Sequence, residues 1–326
     1  MKVLLTGPFG KIGFRAIETL LAKGYQPVCF DLDTKTNRKT ARGFGNRITV
    51  IWGDITDKPA VINAVNGVDA VIHNAAIIPP MSDRNPALAE KVNVGGTQNI
   101  IEAIRQSTNK PLLVFPSSIS VHGHNLPDSP WPKKITDPLH AEDCYAGHKI
   151  KCEELIEKSG LNFVIVRIGA CLEGSNAMDT TDMKSALELM FSISARCHIE
   201  YVHPKDVATA MVNAISNPAA LGKKFFLGGG KSCQTTWLEF NSLFVEAMGC
   251  GAFPEQAYGN GGYYTDWMDT EDSQRVLQFQ RHTLDDYRQE LAVKFRWIKP
   301  MLFPVRSLIK NYLLKASPHW QEYTKK

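Results

Sequence analysis

Six short apolar runs, at 3–6, 27–31, 48–52, 70–73, 112–115 and 163–167, set the strongest constraint on what this chain can fold into. Each is about five residues long and rich in Val, Ile, Leu and Phe, and most are bounded by turn formers. Runs that are continuously apolar suit strands buried on both faces. Between them lie amphipathic stretches at 12–22, 59–65, 87–106 and 145–158, with helical spacing. Strand, helix and strand repeated in this order predict a doubly wound α/β sheet, parallel, with right-handed crossovers and helices on both sides. Beyond residue 168 the alternation weakens. Helices are expected at 205–216 and 237–247, separated by Gly228-Gly229-Gly230 and by a Gly/Tyr-rich loop at 258–264.

A chain of 326 residues has room for such a domain and an appended lobe. At that length about 75% of the unfolded surface can be buried, so neither disulfides nor a structural metal is required. With 44% hydrophobic and 21% charged residues, disordered and low-complexity classes are excluded. A net charge of +4 is too small over this length to mark a nucleic-acid binder. The seven cysteines stand far apart and include no CxxC pair, and His122 and His124 are too close together to complete a four-ligand set. The expectation is free thiols in a reducing compartment and no metal. The apolar start breaks at Gly7-Pro8, and no stretch of 18 apolar residues occurs, so a cytoplasmic location is expected.

The first strand runs into Thr6-Gly7-Pro8-Phe9-Gly10-Lys11-Ile12-Gly13 and then the first helix. Glycine serves a tight turn where φ is positive, and at a helix start it lets a pyrophosphate reach backbone N–H groups and the positive helix end. The spacing Gly-x-x-Gly-x-x-Gly is one residue longer than the Rossmann fingerprint. Gly7, Phe9, Gly10, Lys11, Ile12 and Gly13 are therefore candidate dinucleotide contacts. The second strand ends in Asp31, 18 residues after Gly13. A carboxylate there accepts the ribose hydroxyls of an adenosine and repels a 2′-phosphate, which points to NAD; Lys35, Arg38 and Lys39 follow closely and leave NADP open. The expected architecture is a Rossmann-type nucleotide-binding domain at 1–168, with segments such as 199–230 returning to it, and a smaller C-terminal substrate lobe within 169–326.

Tyr145 and Lys149 are four apart, one turn on a shared helix face. A tyrosine is a weak base near neutrality, and a neighbouring ammonium together with a positive nicotinamide favours its phenolate. Such a phenol can exchange a proton with the oxygen of a carbinol or carbonyl carbon. Ser118 stands at the end of the fifth strand, the end at which ligands bind in parallel sheets, where a hydroxyl can orient the same oxygen. Ser117 beside it reads as a turn cap.

These ordered motifs resemble the extended short-chain dehydrogenases/reductases, often called the NAD-dependent epimerase/dehydratase family. The resemblance covers roughly 2–230 and rests on residues 6–13, Gly53-Asp54-Ile55, His73-Asn74-Ala75-Ala76, Asn93-Val94-Gly95-Gly96-Thr97, residues 115–123, residues 145–149, Arg167, and Tyr201-Val202-His203-Pro204-Lys205-Asp206. It implies a catalytic set of Ser118, Tyr145 and Lys149. It implies that Asp54 and Ile55 flank the adenine, that Asn74, Ala75 and Ala76 border the middle of the cofactor, and that Asn93 supports the site. Lys149 would also hold the nicotinamide ribose.

Several positions depart from the family pattern. Val121-His122-Gly123 replaces Val-Tyr-Gly, and Ile168-Gly169-Ala170-Cys171 replaces Asn-Pro-x-Gly. Ile199 stands where nucleotide-sugar members carry a phosphate-binding arginine; the nearest candidate is Arg196. Segment 172–198 is short. The favoured reading is hydride chemistry of the epimerase/dehydratase type on a sugar-like small molecule. The alternatives are net oxidoreduction of a non-sugar alcohol or ketone, and a non-catalytic dinucleotide-binding scaffold.

Arg167 is read as an anchor or a substrate contact, His203 and Asp206 as capping and packing residues or as support for the substrate lobe, and Trp237, Tyr258, Tyr263, Tyr264 and Trp267 as core or pocket wall. The tail at 294–326 contains eight Lys/Arg and one Glu, and an apolar stripe of helical period from Ile298 to Leu313. A helix over 304–316 is expected, docked on its own lobe or on a second subunit of a homodimer. The competing partner is an anionic membrane surface.

Overall fold

A computed structural model describes residues 1–173 and 183–325. The larger sheet has seven parallel strands in the order β3-β2-β1-β4-β5-β6-β9, formed by β1 (Lys2–Thr6), β2 (Gln26–Asp31), β3 (Thr49–Trp52), β4 (Ala70–His73), β5 (Leu112–Ser118), β6 (Phe163–Ile168) and β9 (Lys223–Leu227). The order reverses between β1 and β4, so the crevice for a ligand opens there, at the carboxyl ends of the strands.

Strands β1, β2, β4, β5 and β6 bury both faces, which explains their apolar runs, whereas β3 at the edge is only half-buried. Val3 and Leu5 join one layer with α1 (Lys11–Ala22), α9 (Pro204–Ile215) and α11 (Glu271–Leu277). Leu4 joins the opposite layer with α3 (Lys58–Val65), α6 (Gly96–Gln106) and α7 (Cys144–Glu157). Helix α2 (Lys35–Arg42) has no apolar stripe to announce it. Only Ala41 is buried, and the Thr34 hydroxyl caps it by accepting from Asn37 N.

The expected 87–106 helix is broken into three parts. After α4 (Met81–Arg84), Asn85 caps α5 (Pro86–Glu90), a π-helical turn follows at Lys91–Gly95, and α6 continues. Such turns insert one extra residue into a helix and are frequent at functional sites. Here the turn carries Asn93.

The smaller lobe has its own sheet, β10 (Gln234–Thr236), β8 (His198–Val202) and β7 (Ala170–Cys171). Around it pack α8 (Met183–Ser192), α10 (Trp237–Ala247), α12 (Leu284–Phe295), α13 (Ile298–Leu302), α14 (Arg306–Leu314) and α15 (Pro318–Tyr323), the last through Trp320. Segment 199–230 is thus divided. Its helix α9 and strand β9 lie with the large sheet, whereas β8 lies in the small one. The expected 304–316 helix begins later, at Arg306, because Pro304 sits in a 3-10 turn at Phe303–Val305. Of segment 172–198, residues 174–182 lie outside the described residues. All seven cysteines are unpaired.

Candidate active site

The first βα turn is built for a ligand that passes close to its backbone. Gly7 has φ +62, and a Cβ there would lie 2.9 Å from Ala75 Cα. A Cβ on Gly13 would lie 2.2 Å from Gly7 O. Those two glycines are therefore required by the fold itself. Gly10 is not: its Cβ would meet only Gly7 O, at 3.7 Å. Gly10 is also the N-cap of α1, no side chain caps the helix, and its first turn contains no acid. An open glycine at an uncapped helix N-terminus fits a pyrophosphate.

The remaining dinucleotide candidates fall around this turn. The Asp31 carboxylate accepts from Leu32 N at 2.8 Å and from the backbone of Phe9, which ties it to the glycine loop. Burial raises its pKa and those backbone bonds oppose the rise. Arg38 is held by an ion pair with Asp33, which draws it away from a 2′-phosphate. The Phe9 ring lies 5.7 Å from that of Trp52. Lys11 is exposed, and Ile12 packs on the first core. Asn74 donates to Gly7 O, and Ala75 N donates to Thr6 Oγ1. Ala76 follows, half-buried. Asp54 is exposed and accepts from Thr56 N. Ile55 is buried, with its side chain against Gly96. Asn93 brackets Ile77, accepting from its N–H at 2.7 Å and donating to its carbonyl at 2.9 Å.

Ser118, Tyr145 and Lys149 gather at the end of β5. The Ser118 hydroxyl accepts from Ser120 N at 3.1 Å and lies 2.9 Å from Ser120 Oγ. It is Ser118, not Ser117, that caps the following turn. Ser117 points the other way and donates to Glu153. Tyr145 occupies the first turn of α7, whose N-terminus Asp143 caps by accepting from Ala146 N at 2.6 Å. One turn on, buried Lys149 donates from Nζ to Pro116 O at 2.6 Å. That ammonium lies 4.5 Å from the centroid of the Phe115 ring and 5.6 Å from that of Tyr145.

Burial pushes the Lys149 amine down to about 8, against smaller opposing pulls from Cys152 and Glu153. Burial also lifts the Tyr145 phenol above the ordinary tyrosine range, and Asp143 and Cys152 add to the rise. The chain alone thus keeps Tyr145 protonated. The lowering expected from the Tyr-Lys spacing needs a further positive charge at the site.

Two supporting networks escaped the sequence reading. In the first, Thr6 Oγ1 meets His73 Nδ1 at 2.8 Å, His73 Nε2 meets Thr97 Oγ1 at 3.1 Å, and Thr97 donates to Asn93 O. Because Thr97 spends its proton on Asn93, the network assigns a neutral His73 protonated at Nε2. In the second, fully buried Arg167 pairs with Glu153 at 2.7 Å and donates to Ile135 O and to His122 Nε2. Arg167 is therefore the structural anchor of the two roles weighed for it. Beside the site, Tyr264 was weighed as pocket wall, but its partner His124 and the nearby Glu142 were not singled out. The His124 ring lies 4.1 Å from that of Tyr264 and its Nδ1 is 2.8 Å from Glu142, while Tyr264 sits beside Asp143. Backbone pairing of Asn125 with Tyr263 brings the small lobe there. Trp267 stacks on His198 at 4.0 Å, whereas Trp237 and Tyr258 are core.

His203 caps α9, as expected, and Asp206 holds Arg281 N and His282 N of the next loop. Among the described residues, one group, Glu173, His203 and Glu290, has the spacing of a metal cluster. Its ligands are already spent on Arg15, Lys205 N and one another.

Burial of neutral histidines has a measurable consequence. Burial depresses His73 to about 3 and His122 to about 4. Below pH 6.5 the unfolded chain binds protons that the folded chain refuses, so stability falls as pH drops from 6.5 toward 4. At pH 5 the loss is about 2 kcal/mol per histidine relative to pH 7. Urea unfolding at the two pH values tests this. Equal stabilities would contradict the neutral buried state.

A doubly wound parallel sheet with a glycine turn after β1 and Ser118, Tyr145 and Lys149 at the end of β5 is the arrangement of a short-chain dehydrogenase/reductase of the extended class. Residues 3–228 match the model of the NAD dependent epimerase/dehydratase family, and the chain belongs to that family. NAD is the family's cofactor. A protein of uncharacterised function from Sinorhizobium fredii (y4nG) is 30% identical over 65% of this chain, and the match spans about half (52%) of the relative. A 3β-hydroxysteroid dehydrogenase/Δ5→4-isomerase of Mycobacterium tuberculosis is 28% identical over 76% of this chain and 70% of that protein. The UDP-glucose-4-epimerase of Stenotrophomonas maltophila, solved with NAD and formylated UDP-arabinopyranose, shares the fold. Its TM-score is 0.74, with 22% identity over 92% of this chain and 98% of that one.

Proposed function

We propose that this chain is an NAD-dependent oxidoreductase acting on a secondary alcohol or ketone of a small, non-nucleotide substrate, with Tyr145 as acid/base. NAD, when bound, supplies the hydride acceptor or donor for the substrate carbon. The chain's own residues handle the oxygen. Ser118 Oγ orients it, and Tyr145 Oη takes its proton in oxidation or returns one in reduction. Lys149 holds positive charge over the Tyr145 ring, which stabilises the phenolate once the site is loaded. Residues 1–168, with α9 and β9, hold the dinucleotide, and the small lobe closes over the substrate. The unpaired cysteines favour a reducing compartment, the cytoplasm.

One observation favours a non-nucleotide substrate over the nucleoside-diphosphate sugars common in the family. Ile199 is buried in the small lobe's core, and Arg196 is exposed and paired with Glu255 at 2.9 Å. Neither offers a cation to a diphosphate. The aromatic mouth at His124 and Tyr264 suits a less charged ligand.

The test is a screen of secondary alcohols with NAD, read by nicotinamide absorbance. NADH should form in proportion to product, with NAD preferred to NADP by at least about tenfold because of Asp31. If denatured protein releases near-stoichiometric NAD, and turnover of a sugar substrate leaves the absorbance unchanged, the reaction is redox-neutral and this reading is wrong.

A further inference from the structure

The C-terminal tail carries an apolar surface that the fold leaves uncovered. One side of α13 and α14 is docked: Leu302, Ile309, Leu313 and Leu314 pack into the small lobe's core, and Lys310 donates to Ala252 O. The other side is open. Trp297 is 73%, Met301 76%, Leu308 71% and Tyr312 72% exposed, with Phe303 and Val305 between them. The pairs 297/301 and 308/312 are each one helical turn apart, so each pair shares one side of its own segment. An exposed apolar patch of this kind on a helix that is already docked on its other side marks a further contact surface. Residues 293–315 contain six basic residues, Lys294, Arg296, Lys299, Arg306, Lys310 and Lys315, and no Asp or Glu. Arg296 lies over the Trp297 ring and Arg306 over the Phe303 ring, at 5.1 and 3.8 Å from their centroids.

We propose that this face rests on the headgroup layer of an anionic bilayer, with Trp297, Met301, Leu308 and Tyr312 dipping into the interface and the exposed Arg296, Lys299 and Arg306 side chains meeting lipid phosphates. Aromatic rings and snorkelling cations are the groups that suit that layer. Spanning is excluded for this segment: α13 has five residues and α14 nine, and none of the described helices is long and apolar enough to cross a membrane. A second copy is the poorer occupant, because a two-fold contact of this patch with itself sets basic residues against basic residues with no acid between them. A surface of anionic lipid supplies the missing charge.

The full chain should sediment with vesicles of phosphatidylcholine containing about a third phosphatidylserine, and raised salt should release it. Vesicles of phosphatidylcholine alone should bind at least about tenfold less. Two variants should each lose at least about tenfold in partitioning at an unchanged melting temperature. One is Trp297→Ser with Met301→Ser, Leu308→Ser and Tyr312→Ser. The other is Arg296→Gln with Lys299→Gln and Arg306→Gln, and it decides alone if the first fails to fold. Absent or charge-independent vesicle binding overturns the proposal, as does undiminished binding by the variants. A dimer in solution that does not bind vesicles, and that the serine variant converts to monomer, would make the face a contact between copies.

Discussion

Replacing Tyr145 with Phe is expected to cut turnover by 10² or more while leaving NAD affinity within a factor of about three. That loss corresponds to at least about 2.7 kcal/mol of transition-state stabilisation. The substitution keeps the ring above which the Lys149 ammonium sits and removes only the exchangeable proton. The two readouts separate because the groups that fit the dinucleotide, the α1 N-terminus and Asp31, lie on other elements. Activity within twofold of the parent on an authentic substrate would remove Tyr145 from its role. Parallel losses of turnover and NAD binding would show that the side chain supports the site rather than reacting in it.

A second large effect is expected away from the reacting atoms. Glu153 and Arg167 are each 1% exposed and pair through two hydrogen bonds, from Nε and Nη2 of the guanidinium. Glu153→Ala leaves that guanidinium buried without its counter-charge, and the expected cost is about 3–5 kcal/mol in urea unfolding. Ser117, next to Ser118, loses its acceptor in the same variant, so turnover should also fall in whatever fraction remains folded. Replacing both partners, as Glu153→Leu with Arg167→Met, should recover much of the stability, because the desolvation of two ions is removed together with their attraction. A single variant within about 1 kcal/mol of the parent would show that the pair does not hold β6 against α7.

The strands were legible because burial on both faces leaves a local mark. Val3, Leu4 and Leu5 must all be apolar when one layer takes Val3 and Leu5 and the other takes Leu4. Helix α2 was illegible for the converse reason: it buries only Ala41 and leaves no stripe. Within the glycine turn the spacing was visible, but the division of labour was not. Gly7 and Gly13 answer contacts with Ala75 and with the loop's own backbone, while Gly10 alone stays open.

The sequence by itself therefore determined the class of fold, the places of the first six parallel strands along the chain, and the residue types at the crevice, since each depends on local periodicity or on motifs read along the chain. Only the tertiary structure decided what those residues face. It turned Ser117 onto Glu153, buried Ile55 and Ile199, committed Arg167 to an ion pair, and divided the tail's apolar stripe into a docked side and an open one. Such choices depend on neighbours tens of residues away, brought close by the folding of the sheet and the small lobe, and no local pattern encodes them.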